Sequence, residues 1–206
     1  MTPIAPSCPP ALRLAWCEQT LSVEPGGVAV LETAVPGLVK EDADHAQADA
    51  LLRELLGEPA PVDCMAGTVS ARCTLLGSDW TDLASLGYAD LQRWRAAAGY
   101  VHRHDALLEN RSVFENLTLR GRYFGVADVD TTAERLLDAA GLAHRRNHRP
   151  VACGNDERGR LLMLRALSTR PGLILMEGPL PEGWDLNAWY AAAEMPTPTR
   201  VHATRR

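Results

Sequence analysis

Apolar residues along this chain occur both as short continuous runs and at helical spacing. The runs Val28–Leu31 and Leu173–Met176 are continuous and bounded by turn residues, which is typical of strands buried in a sheet. Gly99–Val101 predicts a further strand, and so does the segment TRVHATRR. GTVSARCTLLG predicts a strand pair or one bent strand. Since the buried strands alternate with helices, we expect an α/β fold with a central, mostly parallel sheet.

Helices are predicted where apolar residues recur at helical spacing or where capping residues occur. These stretches are AQADALLRELLG ending at Gly57, Ala89–Ala98, the residues after Ser112, TTAERLLDAAG ending at Gly141, and Arg158–Ser168. Ser112 and Glu115 have the spacing of a capping box, in which each side chain binds the other residue's backbone N–H. Asp130 or Thr131 is the expected start of the helix that ends at Gly141. The last three stretches form a predicted helical insertion between two strands.

Composition narrows the class of protein. The chain has 206 residues, 46% hydrophobic and 23% charged, which suits one soluble domain with a sizeable core. Its formal charge of −5 gives no basic surface for nucleic acid or anionic lipid. The five cysteines show no CxxC pair, so a reducing cytosol is the expected setting. The first residues lack the pattern of a signal peptide, and no apolar run approaches the roughly 18 residues of a membrane helix.

Some residues are of types that often bind metals or take part in catalysis, but their positions favour a structural role. Four histidines stand in two pairs, but no cysteine or carboxylate lies near them at zinc spacing, so solvated loop histidines are favoured over a metal site. They are His102, His104, His144 and His148. Cys153, near a predicted helix start, is either a reactive thiol or, as we favour, a small buried hydrophobe. We expect the five tryptophans to pack in a core or interface. A serine hydrolase is discarded because no G-x-S-x-G turn follows a strand.

Several segments in a fixed order resemble the ATP-binding cassette (ABC) ATPase domain, and the resemblance covers nearly the whole chain. The segments are VEPGGVAVL, GYV at 99–101, the leucine pair at 107–108, SVFEN at 112–116, CGNDE at 153–157, LRAL at 164–167 and LILMEGP at 173–179. The resemblance implies one P-loop NTPase-like domain over residues 1–206. Such a domain has a central, mostly parallel sheet, an antiparallel β portion and a helical subdomain at about 104–168.

The loop that would bind phosphate in that family departs from its pattern here. A phosphate loop needs glycines whose amides approach the phosphates, a lysine, and a Ser or Thr for Mg²⁺. Gap-free alignment puts Val39 at the lysine position. A shift by one residue recovers Gly37 and Lys40, but then Glu41 takes the position of the Mg²⁺-binding hydroxyl. Pro36 also removes an amide donor.

The other family motifs are replaced as well. Arg103 stands where the resemblance implies a glutamine that helps to hold Mg²⁺ and water. The signature serine and glycines become Gly154-Asn155-Asp156, which brings a carboxylate to a helix start that would otherwise attract anions. The strand that should end in Asp-Glu ends in Glu177-Gly178, so the general base is missing. The final threonine-histidine switch appears as Thr204-Arg205. Gly37, Lys40 and Glu177 are then the vestige of a nucleotide site.

We therefore expect a catalytically degenerate ABC ATPase-like subunit of a membrane transporter, cytoplasmic and peripheral on the inner face of the membrane. The resemblance implies a groove that receives a short helix from an integral-membrane permease, and we expect its floor to contain five apolar residues. They are Leu107, Leu108, Val113, Phe114 and Leu117. No catalytic residue, metal ligand or cofactor is expected, and ATP with Mg²⁺ is disfavoured. An active ABC ATPase and a second copy of the chain are further candidate partners; nucleic acid is not.

Two alternatives stay open. The chain could be a regulatory or scaffold module that uses the ABC fold without a permease. It could also be a weak ATP-binding subunit in which Lys40 serves an atypical phosphate loop.

Overall fold

The structure is a computed structural model that describes residues 12–16, 19–32, 70–73, 81–82, 85–102, 106–177 and 180–204. These residues contain eight strands and five α-helices. The strands are β1 (Leu12–Trp16), β2 (Gln19–Val23), β3 (Val28–Glu32), β4 (Ser70–Cys73), β5 (Thr81–Asp82), β6 (Ala98–Val101), β7 (Leu173–Glu177) and β8 (Thr199–Thr204). The helices are α1 (Tyr88–Ala97), α2 (Val113–Phe124), α3 (Val129–Ala139), α4 (Asn155–Leu167) and α5 (Leu186–Ala192).

The described strands form one parallel and one antiparallel sheet. The parallel sheet has the order β3-β8-β7-β6, and the antiparallel sheet has the order β2-β1-β4-β5. The residues Leu173, Ile174 and Leu175 of β7 are fully buried, and β7 lies between β6 and β8. Ile174 belongs to the core that also contains residues of the helices. A strand buried on both faces needs a continuous apolar run, and this one has it. The α/β fold predicted from the sequence is confirmed.

The predicted strands at Val28–Leu31, Gly99–Val101 and in TRVHATRR are all present, within a residue or so of the predicted ends. Other predicted segments lie outside the described residues. These are the helix AQADALLRELLG, the loop from Thr33 to Glu41 and most of GTVSARCTLLG, of which the structure describes only Ser70–Cys73 as a strand.

Helices α2, α3 and α4 follow β6 in sequence and precede β7, as predicted for the insertion. The capping box of α2 is confirmed: Ser112 Oγ accepts the N–H of Glu115 at 3.1 Å, and Glu115 Oε2 accepts the N–H of Ser112 at 2.8 Å. The predicted start of α3 was wrong by one to two residues. Its N-cap is Asp128, whose backbone is left-handed (φ 56°). Val129 already belongs to the helix, and its side chain packs against Gly121 of α2.

A hydrophobic core lies between the insertion helices, α5 and β7, and it contains residues from each of these elements. Trp94 is fully buried, Trp189 is 3% exposed, and Trp184 packs against the same core with its ring 5.4 Å from that of Trp189. The packing role expected for these tryptophans is confirmed. The side chains of Trp16 and Trp80 lie outside the described part of the structure. Among the described helices, none combines the length and the apolar character needed to cross a lipid bilayer.

Helices α2 and α3 approach each other closely at Gly121. A Cβ atom added to Gly121 would lie 2.3 Å from Val129 Cγ2 and 2.9 Å from Val129 Cβ. Since Val129 is β-branched and held close to its own backbone, it has no room to move aside. The absence of a side chain at Gly121 therefore sets the distance between the two helices.

We predict that Gly121→Ala destabilises the protein. Overpacking costs about 1–3 kcal/mol, which outweighs the gain of up to ~1 kcal/mol in helix propensity. Gly159→Ala is the matched control, because it also lies inside a helix but its Cβ would meet only Trp184 at an ordinary 3.5 Å. Urea unfolding should show a lower free energy of unfolding for the first variant and no loss for the second. Equal stability of the two variants would contradict the close approach.

Candidate functional site

Two side chains meet at the carboxyl edge of the parallel sheet, where α/β folds place their ligands. His102 directly follows β6, and Glu177 ends the neighbouring strand β7. His102 Nε2 lies 3.0 Å from Glu177 Oε2, and the two side chains are only 13% and 5% exposed. The ring of Tyr100 stacks on that of His102 with centroids 5.8 Å apart. The carboxylate at this edge is therefore held by an imidazole of the same chain.

The other residues expected at a nucleotide site are mostly outside the described part of the chain. Gly37, Lys40, Arg103, Gly178 and Arg205 all fall there, so Glu177 alone of the vestigial set has a described position. The solvated-loop interpretation was wrong for His102, which is nearly buried and paired. His144 and His148 are exposed as expected, and His104 is not described. The described residues contain no group of three or more metal-ligating side chains.

The start of α4 is occupied by a carboxylate of its own first turn. Glu157 Oε2 accepts the N–H of Gly154 at 2.9 Å, and Glu157 Oε1 accepts Arg145 Nε at 2.9 Å. The bond from Arg145, followed by that from the Gly154 backbone, lowers the pKa of Glu157 below its usual value. Asp156 pairs with Arg160 one turn further along α4. The positive end of this helix dipole thus already has its anion.

Cys153 lies just before α4 and is buried in the core at 8% exposure. Burial raises the pKa of its thiol, and the charge of Glu157 raises it further. A raised pKa leaves little thiolate at neutral pH, so this cysteine is not an activated nucleophile. The interpretation as a small buried hydrophobe is confirmed.

A largely apolar groove with a volume of about 640 Å³ lies along the side of α2. Helix α2 contributes half of the lining residues, and α1, β6, α4 and the loop before α2 supply the other half. The lining residues are Arg95, Tyr100, Leu108, Asn116, Leu119, Arg120, Tyr123, Phe124, Arg165 and Ala166. Three large apolar or aromatic side chains along the groove are strongly exposed: Leu108 at 45%, Leu119 at 51% and Tyr123 at 72%.

Of the five residues expected to contact a permease helix, only Leu108 lines this groove. Leu107, Val113 and Leu117 lie in the core with exposures of 4%, 0% and 0%, so a partner cannot reach them. Phe114 lies on the opposite side of α2 from Tyr123, since nine residues correspond to two and a half helical turns. The guanidinium of Arg146 covers the Phe114 ring at 4.1 Å from its centroid.

The groove residues that sequence reasoning missed are Leu119, Tyr123 and Phe124. Leu119 and Tyr123 are four residues apart, so they form one stripe on α2. This stripe is separate from the one formed by Val113 and Leu117, which faces the core. A second apolar stripe on an amphipathic helix is the signal that could have identified them.

Hydrogen bonds to backbone carbonyls connect the groove to the rest of the fold. Arg120 NH2 donates to the carbonyl oxygens of Arg95 at 2.5 Å and Ala98 at 2.7 Å, at the junction of α1 and β6. Arg165 NH1 of α4 donates to the carbonyl oxygen of Ala106 at 2.9 Å. These bonds link the insertion helices to the segments that enter and leave β6.

The sequence is similar to those of two ATP-binding proteins. The sequence is 36% identical to the lipoprotein-releasing system ATP-binding protein LolD of Hahella chejuensis over 114 residues. This aligned stretch is 53% of this chain and 48% of LolD. It is 32% identical to the molybdenum import ATP-binding protein ModC 1 of Azotobacter vinelandii over 127 residues. This aligned stretch is 60% of this chain and 35% of ModC 1. The matches thus span about half or less of these relatives. No family model matches the chain.

The fold also has solved counterparts. The structure of cbiO1 from Clostridium perfringens, part of the ABC transporter complex cbiONQ, superposes with a TM-score of 0.61. The superposition covers 97% of this chain and 79% of that chain at 11% identity, so the likeness concerns the fold alone.

We predict that His102 and Glu177 are energetically coupled. The free energy of unfolding should be measured for His102→Phe, Glu177→Gln and the double variant. Contacting polar partners show coupling of about 0.5–3 kcal/mol, because removing either partner leaves the other buried without it. His148→Phe, at an exposed histidine, is the control and should show no coupling with Glu177→Gln. Additive effects of His102→Phe and Glu177→Gln would contradict the pairing.

Proposed function

Because this chain has the fold of the ABC ATPases and is homologous over about half its length to ATP-binding proteins of ABC transporters, we propose that it is a non-hydrolysing subunit of such a transporter. In this role it docks on an integral-membrane permease at the cytoplasmic face of the membrane. The helical subdomain at about 104–168 supplies the docking surface. Its partners are the permease and, within the transporter, an active ABC ATPase or a second copy of the chain.

The observation that carries this proposal is the groove along α2. Leu108, Leu119 and Tyr123 are strongly exposed apolar or aromatic residues along one groove, while the core side of α2 is fully packed. An apolar patch of this kind on a folded domain marks an interaction surface. A groove lined by residues one helical turn apart suits a short amphipathic helix, whose apolar face would fill it.

The lack of hydrolysis is supported by the chemistry at the carboxyl edge of the sheet. The carboxylate of Glu177 is held by His102, and the next residue is glycine, which has no group to activate water. The start of α4 is occupied by Glu157, so an incoming phosphate oxygen would meet a carboxylate there. Acidic or inert groups thus stand where a triphosphate would need donors and a base.

We predict that the protein does not bind Mg-ATP. Isothermal titration with Mg-ATP up to millimolar concentration should give no saturable heat, whereas an ABC ATPase with intact motifs should bind under the same conditions. Saturable binding in the micromolar range would overturn the proposal for the nucleotide site. If Lys40→Ala then abolished that binding, the weak ATP-binding alternative would be supported.

We predict that Leu119→Asp releases the protein from membranes of its native host. A buried leucine side chain contributes about 1.5–3 kcal/mol, so replacing it by a carboxylate at the docking surface should weaken association at least ~10-fold. Val151→Asp is the matched control, because Val151 is 77% exposed and lies outside the groove. Association is measured by co-sedimentation, with circular dichroism to establish that both variants fold.

A photo-reactive residue at position 123 identifies what occupies the groove. We expect cross-linking to an integral-membrane protein with the topology of a transporter permease. Unchanged membrane association of a folded Leu119→Asp variant would refute docking through this groove. It would favour a permease-independent binding module instead.

A further inference from the structure

Asn116 of α2 is a buried polar residue whose side chain serves a segment eight residues before it. Its side chain is 2% exposed. Its Oδ1 accepts the N–H of Leu108 at 2.6 Å, and its Nδ2 donates to the carbonyl oxygens of Leu108 at 3.1 Å and Ser112 at 2.8 Å. A single side chain therefore binds both backbone polar groups of Leu108.

A carboxamide suits this arrangement. The backbone of Leu108 offers one donor and one acceptor, and a carboxamide presents an acceptor oxygen and an NH2 donor side by side. An aspartate would present a carboxylate oxygen to two carbonyl oxygens. A leucine would remove the acceptor of the Leu108 N–H, whereas the carbonyl oxygen of Leu108 would still accept the N–H of Arg111. Asn116 thus takes the place that a neighbouring strand would occupy beside Leu108.

The consequence is the orientation of the two leucines in this segment. With the backbone of Leu108 held by α2, the side chain of Leu107 enters the core at 4% exposure, and that of Leu108 lies along the groove at 45%. Two arginines of α4 bind this segment before and after the leucine pair. Arg165 donates a hydrogen bond to the carbonyl oxygen of Ala106, and Arg158 NH2 donates one to Glu109 Oε1 at 2.7 Å. Asn116 is the central attachment of the three.

We propose that Asn116 is a positioning residue for partner docking: it holds the backbone of Leu108 so that this side chain forms one edge of the groove. The proposal rests on the proposed function, because it assigns a role in the same docking surface. Asn116 lines the groove but acts through Leu108, whose side chain is the exposed one.

The first test is hydrogen exchange at the Leu108 amide, measured by NMR in the full chain. In Asn116→Leu this amide should exchange roughly 10- to 100-fold faster relative to amides of β7, because its buried acceptor is gone. Ser112→Ala is the matched control: it removes the capping hydroxyl of the same helix and should leave the relative exchange at Leu108 unchanged. Equal acceleration in both variants, or none in Asn116→Leu, would overturn the proposal.

A measurement on the unaltered protein covers the case in which Asn116→Leu fails to fold. The Nδ2 protons of Asn116 should exchange slowly, since both are donated to carbonyl oxygens in a buried site. Rapid exchange of these protons would equally overturn the proposal.

The second test separates positioning from stability. At equal folded fraction, Asn116→Leu should reduce co-sedimentation with host membranes several-fold, whereas Ser112→Ala should not. If Leu119→Asp has no effect on membrane association, the proposed function fails, yet the exchange at Leu108 still decides whether Asn116 holds this segment. If Leu119→Asp releases the protein and a folded Asn116→Leu does not, the positioning role alone is refuted.

Discussion

The burial of β7 between two parallel neighbours is the constraint on which the rest of the structure depends. Leu173, Ile174 and Leu175 are fully buried, and only a strand covered on both faces can hold such a run. Parallel pairing brings the carboxyl ends of β6 and β7 to one edge, so His102 and Glu177 meet there. It also requires a long connection between those strands, and the helical insertion with its groove is that connection.

The carboxylates at the edge of the sheet and at the start of α4 are bound by other groups of the same chain. Glu177 is paired with an imidazole, and Glu157 is bound by a guanidinium and a backbone amide. In a nucleotide-binding domain such places are completed by phosphate and metal, whose charges are the largest in the site. Here Glu177 and Glu157 each have a partner within the chain itself.

The fold and some local contacts could be predicted from sequence because they depend on short-range patterns. The apolar run of β7 and the capping box at Ser112 are readable from a few adjacent residues. The groove depends on how α2 lies against its neighbours, which involves contacts between residues far apart in the sequence, such as those of Arg120 with the carbonyl oxygens of Arg95 and Ala98. The sequence pattern alone therefore predicts Phe114 at the docking surface, whereas in the structure its ring lies beneath Arg146 on the other side of the helix.

The carboxylate of Glu157 at the first turn of α4 has a consequence for the stability of that helix. A bound ligand adds RT ln(1 + [L]/Kd) to the free energy of unfolding of a folded state. The stability of a domain that binds a dissolved ligand therefore changes with the concentration of that ligand. An anion carried by the helix itself has a fixed effective concentration. The contribution of Glu157 to the stability of α4 therefore does not vary with the concentration of any dissolved anion.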